Sequence, residues 1–279
     1  MTMWNNTSRA VQKYRNTNVM TGKLYKNYKK LITIIVPCRA RHLQTIELLE
    51  SIERTTYDKK NIDVIMMTDW DMPEDLINIQ KIKKNLSYNI LTIVRDQSLN
   101  LHQDYINLAA LMTESYYVWA MGNDNIIATQ DWDHKLMNVV DSNTKTIIDD
   151  TKEYYIYVDD DTHTSERDKE DGGRGCCFPI LSNNFCVKVR GPFPNWIEGW
   201  GADQELYKYF IDQRQESPER FEIIDVSDTI KLEHICSHNN KAEIDEIGEL
   251  MKERHHKMVK RLEQENAAIP EWCGKDHQQ

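Results

Sequence analysis

Residues 31–37 read Leu-Ile-Thr-Ile-Ile-Val-Pro, and this stretch decides the fold class. β-Branched side chains fill most of it without polar alternation, which is the pattern of a strand buried on both faces. Proline lacks the amide hydrogen that a central ladder needs, so we expect the strand to stop before Pro37. Strands buried on both faces are typical of parallel sheets covered by helices, and the stretch therefore predicts an α/β protein.

Strand and helix patterns then alternate over about 95 residues, as successive β-α units require. Right-handed crossovers between such units produce a Rossmann-like, mostly parallel central sheet with helices on both faces. The predicted strands are residues 31–36, 62–67, 88–94 and 116–121, and the predicted helices are residues 44–55, 74–84 and 101–114.

The alternation breaks beyond residue 145, where short strand patterns, one helix over 203–210 and an acidic loop over 159–175 follow. We expect one domain with a smaller second half that closes the first. The predicted units are a basic N-terminal arm over 1–30, a domain over 31–240 with halves 31–145 and 146–240, and a C-terminal helix and tail over 241–279. The predicted strands of the second half are residues 147–148, 154–158, 223–224 and 230–235, and the C-terminal helix spans 241–265.

Composition excludes several classes of protein. Lys and Arg total 35 against 45 Asp and Glu, a formal charge of −10, which argues against a general nucleic-acid coat protein. The apolar run at 31–37 is far shorter than the roughly 20 residues of a membrane span. The first thirty residues are polar and basic, and the six cysteines form no Cys-x-x-Cys pair. We therefore expect a cytoplasmic protein with free thiols and no membrane span.

Polar residues follow the predicted strands at the edge where parallel sheets bind ligands. Arg39 follows the first strand, Asp69 and Asp71 the second, and Asn123-Asp124-Asn125 the fourth. The Asp69 and Asp71 carboxylates could accept hydrogen bonds from a nucleobase or ribose. Oxygen ligands at 123–125 could hold a hard divalent cation, although this cluster has a single carboxylate and also suits a turn.

Three other clusters carry two or more carboxylates and compete for the metal role; one of them is Asp69-Trp-Asp71, whose nucleoside-binding alternative is given above. Asp159-Asp160-Asp161 follows an apolar strand, so it is a second candidate, although it also opens the acidic loop. Asp131-Trp-Asp133 is better explained by helix capping at Asp131. His234 lies on a late strand, from which an imidazole can return to an acidic cluster and add a nitrogen ligand.

The segment Glu198-Gly-Trp-Gly-Ala-Asp-Gln-Glu205 is the most informative of the second half. Its glycines favour a tight turn, and its acidic residues come where a helix begins. A carboxylate at Asp203 could act as a general base near a bound acceptor, and Trp200 could stack on a sugar or base. The alternative is structural, with Asp203 capping the helix and Trp200 packed in the core.

Together these motifs resemble those of the GT-A glycosyltransferases, which use nucleotide-sugar donors and have a Rossmann-like half. The resemblance extends loosely from residue 31 to residue 238. It depends on Thr33-Ile-Ile-Val-Pro-Cys-Arg39 as the opening strand, Thr68-Asp69 as the end of the second strand, Met121-Gly-Asn-Asp-Asn125 as the Asp-X-Asp metal motif, Gly199-Trp-Gly-Ala-Asp-Gln-Glu-Leu206 as the acceptor-side stretch, and His234 as a C-terminal metal ligand.

The resemblance implies transfer of a sugar to an acceptor hydroxyl by direct displacement, assisted by Mn²⁺ or Mg²⁺ and with inversion. The motif has Asn at both outer positions, which implies weak cation binding helped by His234 and the diphosphate. Ala202 stands where the family usually has an acid. The implied roles are Asp203 as catalytic base; Pro37, Arg39, Asp69, Asp71, Asn123 and Asp124 for the nucleotide-sugar; Glu198 and Trp200 for the acceptor; and Asp124, Asn125 and His234 for the metal.

Two other functions stay open. A nucleotide-sugar- or glycan-binding protein of the same fold with a decayed metal site is the first, because 123–125 offers one carboxylate. A nucleotidyltransferase is the second, although residues 39–42 lack the glycines of a phosphate loop. The residues leave open the donor sugar, the oligomeric state and the acceptor, which could be a glycan, a protein, a small molecule or a modified nucleic-acid base.

Overall fold

A computed structural model of the protein describes residues 30–39, 41–144, 152–161, 175–193 and 202–235, together with Glu253, Lys257 and Lys260. Several predictions lie outside these residues: the arm over 1–29, the strand at 147–148, most of the acidic loop, Glu198, Trp200, and the helix over 241–265 apart from the three residues named above.

A mixed, mostly parallel sheet forms the centre of the fold. Its strands, and those of a small separate ribbon, are β1 (Lys30–Cys38), β2 (Ile62–Asp69), β3 (Asn89–Arg95), β4 (Ser115–Ala120), β5 (Asn125–Ile127), β6 (Glu153–Tyr157), β7 (Ile180–Ser182), β8 (Phe221–Asp225) and β9 (Leu232–His234). The seven-stranded sheet has the order β3-β2-β1-β4-β7-β6-β8, and β5 pairs with β9 in the ribbon. β7 is antiparallel to both of its neighbours, and the other six strands run the same way.

Helices connect the strands of the first half as the alternation predicts. They are α1 (His42–Thr55), α2 (Pro73–Ile82), α3 (Leu108–Ala110), α4 (Trp132–Thr144), α5 (Asn183–Lys188) and α6 (Ala202–Glu216). A π-helical segment, His102–Asn107, leads into α3, and short 3-10 turns, Lys59–Asn61 and Lys83–Asn85, follow α1 and α2. No helix among the described residues is long and apolar enough to cross a membrane.

The core is centred on β1, whose residues 31–36 are all buried. Side chains alternate between the two faces of a strand, so burial of every residue means that both faces are covered. Ile34 pairs with Val64 of β2 on one side and with Trp119 of β4 on the other. The α/β class and the Rossmann-like sheet predicted from residues 31–37 are therefore confirmed.

Several predicted boundaries differ from the structure: the helix predicted over 203–210 extends from Ala202 to Glu216, and two other differences have a clear physical reason. β1 continues through Pro37 to Cys38. Its pairing with β4 ends at Ile35, so no carbonyl of β4 requires a hydrogen bond from the backbone nitrogen of residue 37, and a proline is tolerated there. The helix predicted over 101–114 ends at Ala110. The amide and hydroxyl of Thr113 both donate to the Ala110 carbonyl, at 3.3 and 3.0 Å, and so close the last turn.

Candidate functional site

The carboxyl ends of β1, β2 and β4 lie side by side, because these strands are parallel neighbours in the sheet. Arg39 comes directly after β1, Asp69 is the last residue of β2, and Asn123 and Asp124 follow β4 in a turn. The structure therefore brings the predicted polar residues to one edge, where open α/β sheets bind ligands.

Arg39 joins the ends of β1 and β2. Its Nη1 donates to Asp69 Oδ2 at 2.8 Å and to Asp71 Oδ1 at 3.1 Å, while Nη2 reaches Asp71 Oδ2 at 3.3 Å. Asp69 is buried, whereas the Asp71 side chain is 31% exposed. Asp69 thus fixes the guanidinium from below, and Asp71 is the carboxylate of this group that solvent or a ligand can reach.

Tyr105, in the π-helical segment, holds the second oxygen of Asp69. Its hydroxyl donates to Asp69 Oδ1 at 2.6 Å and accepts from the Ser98 amide at 3.0 Å. The Arg95 guanidinium lies 4.5 Å from the centre of the Tyr105 ring. Burial raises the pKa of Tyr105 above its ordinary range, and the hydrogen bond to Asp69 adds to this. The tyrosine therefore remains a donor, and both oxygens of Asp69 are engaged by protein groups.

Asp124 is the centre of a second cluster. Its Oδ2 accepts from Arg41 Nη1 at 2.5 Å and lies 3.4 Å from His234 Nε2. Asn125 is the direct partner of His234 in the antiparallel β5–β9 pair, and the Ile235 amide donates to the Asp124 carbonyl at 2.9 Å. The predicted convergence of residues 123–125 with His234 is therefore present, and it is fixed by the backbone.

Thr45, in the first turns of α1, anchors both sides of this cluster. Its amide and hydroxyl each donate to the Arg41 carbonyl at 2.9 Å. The same hydroxyl accepts from Asn123 Nδ2 at 3.2 Å, and Cys38 Sγ lies 3.2 Å away. The backbone of Arg41 and the side chain of Asn123 are thus held in fixed relation to β1.

The donor set of this cluster fits a divalent cation only in part. Among the described residues, no group of three His, Cys, Asp or Glu side chains could hold a metal. Asp124 and His234 nevertheless meet, and two buried atoms beside them, Asn125 Oδ1 and His234 Nδ1, have no hydrogen-bond partner in the described part of the chain. Carboxylate, imidazole and amide donors suit Mn²⁺ or Mg²⁺, with further oxygens coming from a ligand.

Gly122 is required by the close approach of the Asp124 side chain. A Cβ atom at Gly122 would lie 2.4 Å from Asp124 Oδ1 and 3.1 Å from Asn125 Nδ2. Any larger residue would displace the carboxylate, so glycine at this position allows the turn to present Oδ2 to Arg41 and His234.

The carboxylates of the competing acidic clusters also contact other parts of the chain. Asp160 is buried and accepts from the Cys177 amide at 2.5 Å, and Asp159 pairs with Lys231 at 3.4 Å. Asp131 directly precedes α4, and Asp133 accepts the amides of Tyr57 and Asp58 at 2.8 Å each. The Asp133 carboxylate therefore fastens α4 to the segment after α1.

Asp203 lies in the first turn of α6, half-buried. A short turn joins the end of α6 to the start of β8, and β8 runs parallel to β6. The end of α6 therefore lies at the amino edge of the sheet, and its first turn lies toward the carboxyl edge. Burial raises the pKa of Tyr155 well above its usual range, and its contacts with Cys176 and the nearby Asp203 carboxylate add to this effect. Asp203 is thus placed toward the carboxyl edge of the sheet, close to Tyr155 of β6, which is two strands away from β4 in the sheet order.

Sequence reasoning missed three residues of this site: Arg41, Thr45 and Tyr105. Arg41 lies two residues after Arg39, and that spacing was the signal available for it. Thr45 and Tyr105 lie in helical segments and act through their side-chain hydroxyls. Nothing in the sequence around a threonine or tyrosine in a helix indicates which distant residue its hydroxyl will contact.

Comparison with known proteins gives a fold. No protein-family model matches the sequence, and no curated protein matches it in sequence. Among solved structures, the mannosyltransferase PcManGT from Pyrobaculum calidifontis, in complex with GDP-Man and Mn²⁺, is similar with a TM-score of 0.53 and 13% identity. The match covers 92% of this chain and 72% of that one.

TarS 1–349 from S. aureus, in complex with UDP, is similar with a TM-score of 0.51 and 14% identity, covering 86% of this chain and 76% of that one. A second S. aureus TarS structure gives the same TM-score and identity over 73% of this chain, which spans 36% of that one. At these identities the likeness shows a shared fold.

Proposed function

We propose that this chain, which has the GT-A fold, is a glycosyltransferase that moves a sugar from a nucleotide-sugar donor to an acceptor hydroxyl. The observation that carries the proposal is the meeting of Asp124, Asn125 and His234 beside the Arg39–Asp71 pair at the carboxyl edge of the sheet. Solved structures of similar fold hold GDP-Man with Mn²⁺, or UDP, which supports this class of donor.

The nucleoside of the donor would bind at the ends of β1 and β2. Arg39 is held rigidly by buried Asp69, and Asp71 is partly exposed next to it, so together they offer a donor and an acceptor to a base or ribose. Pro37, two residues before Arg39, and Asn123, fixed by Thr45, would border the path from the nucleoside to the diphosphate. Asp69 then acts as a positioning residue.

Asp124, Asn125 and His234 would hold a divalent cation through carboxylate, amide and imidazole atoms. Such a cation supplies positive charge that stabilises a leaving diphosphate. The Asp124 turn and the β5–β9 pair keep these three side chains together, because Asn125 faces His234 in the pair and the Ile235 amide donates to the Asp124 carbonyl. The site therefore needs no large rearrangement of the chain to receive the ligand.

Asp203 is the proposed general base. Its carboxylate would accept the proton of the acceptor hydroxyl while that oxygen forms a bond to the anomeric carbon and the bond to the diphosphate oxygen breaks. Attack from the side opposite the leaving group inverts the anomeric centre. The placement of Asp203 in the first turn of α6, at the edge shared with Asp124, supports this role, and Glu198 and Trp200 would bind the acceptor just before it.

A nucleotide-sugar-binding protein without turnover is the second candidate. The observation in its favour is the Arg41 guanidinium, which already neutralises Asp124, the single carboxylate of the 123–125 motif.

Isothermal titration calorimetry with a panel of nucleotide-sugars, with and without Mn²⁺, tests the proposal together with an assay for donor cleavage. Binding of one donor accompanied by cleavage supports the transferase. Binding without any cleavage, in the presence of candidate acceptors, favours the second candidate, and the absence of binding to every donor contradicts both.

A further inference from the structure

Arg41 forms an ion pair with Asp124, the carboxylate that a cation would need as a ligand. Its Nη1 is 2.5 Å from Asp124 Oδ2, the same oxygen that faces His234 Nε2 at 3.4 Å. A guanidinium at hydrogen-bond distance from that oxygen repels a divalent cation approaching it and neutralises the charge that would attract the cation. Arg41 in this position therefore competes with a cation for Asp124.

The two side chains of this ion pair differ in exposure to solvent. The Arg41 backbone is fixed by Thr45, but its side chain is 28% exposed, whereas that of Asp124 is 7% exposed. A buried carboxylate is stabilised by a cationic partner, so loss of Arg41 costs least when another cation takes its place. The departing guanidinium is likewise most stable beside another anion.

We propose that Arg41 is an exchangeable counterion that couples cation binding to donor binding. Without donor, Arg41 neutralises Asp124 and weakens the binding of divalent cations there. A diphosphate arriving at the edge gives the guanidinium a bidentate anionic partner, and Asp124 is released to the cation. This inference rests on the proposed function, because the diphosphate is that of the nucleotide-sugar.

The coupling has a thermodynamic consequence. Whatever factor the donor adds to cation affinity, the cation adds to donor affinity, because the coupling free energy belongs to the pair. Removing Arg41 takes away the competitor, so the cation should bind well without donor, and the additional gain from the diphosphate should shrink. The alternative is that the diphosphate simply coordinates the cation and Arg41 does not compete with it. In that case, removing Arg41 should not increase the affinity for the cation in the absence of donor.

The test measures Mn²⁺ affinity without nucleotide, from the free Mn²⁺ signal in electron paramagnetic resonance. Wild type is compared with Arg41→Gln and Arg41→Lys. Arg54→Gln removes the same charge from an exposed position in the last turn of α1 and is the matched control. Asp124→Asn, which removes the carboxylate, identifies the site in each background.

We expect Arg41→Gln to bind Mn²⁺ about tenfold more tightly than wild type, within the usual range of coupling between sites. Arg41→Lys should lie between the two, and Arg54→Gln should match wild type. The gain should vanish when Asp124→Asn is added. If thermal melting shows that Arg41→Gln is unfolded, Arg41→Lys decides by the same comparison with wild type.

Equal Mn²⁺ affinity in wild type and the folded Arg41 variant, or no Mn²⁺ binding by either, overturns the inference. A gain that persists with Asp124→Asn also overturns it, because the cation then binds elsewhere. The proposed function is judged separately by titrating wild type with nucleotide-sugars, so failure of the counterion exchange and failure of donor binding are distinguishable.

Discussion

Asn125 and His234 are direct partners in the antiparallel β5–β9 pair, although they are far apart in the chain. The pairing places the imidazole beside the residue that follows Asp124, and the Ile235 amide closes the contact on the Asp124 carbonyl. Backbone hydrogen bonds therefore hold together the two halves of the candidate cation site. A ligand set assembled in this way keeps its geometry when side chains nearby are changed.

His234→Ala should weaken Mn²⁺-dependent binding of the donor at least tenfold, because even changes outside the ligand shell cost about 10- to 100-fold in metal affinity. Calorimetry with the donor at fixed Mn²⁺ measures the change. Glu233→Gln alters an exposed neighbour on the same strand and should leave the affinity unchanged. Equal losses in both variants would show that the strand as a whole, and not the imidazole, had been disturbed.

Asp203→Asn should lower the transfer rate by about 10²- to 10⁴-fold, the usual cost of removing a general base. Binding of the donor should stay the same, since the proposed role of Asp203 is to accept the acceptor proton. Steady-state transfer and calorimetry measure the two quantities. Asp212→Asn, an exposed position on the same helix, is the control. An Asp203→Asn enzyme that keeps most of its rate would remove Asp203 from the mechanism.

Tyr105→Phe should lower the free energy of unfolding by about 1.5–3 kcal/mol, the range for a hydrogen bond to a charged group. The hydroxyl supports buried Asp69, whose other oxygen holds Arg39, so donor affinity should fall as well. Urea unfolding and donor titration measure both effects. Tyr57→Phe changes an exposed tyrosine and should do neither. Unchanged stability in Tyr105→Phe would mean that Asp69 does not depend on this contact.

Cys38 should resist alkylation in the folded protein. Burial raises the pKa of Cys38 to about 12, and the Asp75 carboxylate adds to this effect. At pH 8 the thiolate fraction is then about one part in ten thousand, against about one tenth for a thiol at its usual pKa near 9. The unfolded protein loses the Cys38 proton at a lower pH than the folded protein does. The free energy of unfolding should therefore fall as the pH rises from about 9 toward 12.

Iodoacetamide labelling at pH 8, read peptide by peptide in native and urea-unfolded protein, measures the reactivity of Cys38. The more exposed Cys177 is the internal comparison. Rapid labelling of Cys38 in the native state would contradict its assignment as a packed residue beneath the site.

The first half of the fold could be predicted because its signal is local. An apolar strand such as residues 31–36 must be buried on both faces, whatever its neighbours are. The alternation of such strands with helices along the chain is compatible with only a few sheet topologies. The reversed direction of β7 could not be predicted, because it depends on pairing with β4 and β6 and has no local pattern.

The candidate site was predictable to the extent that strand ends determine it. Asp69, Asp124 and His234 were identified from their places after or on strands, and the structure brings Asp124 and His234 together. Arg41 and Tyr105 were missed because their partners lie far along the chain and are selected by packing. The role of Asp203 stays a prediction that the experiments above test.

Release of nucleoside diphosphate from a donor panel, followed by mass spectrometry with Mn²⁺ present, tests the central claim most directly. Wild type should release it from at least one nucleotide-sugar, and Asp124→Asn should abolish the release. Asp131→Asn, a change at a left-handed position that asparagine tolerates, should behave as wild type. Release that is equal in wild type and Asp124→Asn, or no release from any donor by folded wild type, would contradict a transferase built around Asp124.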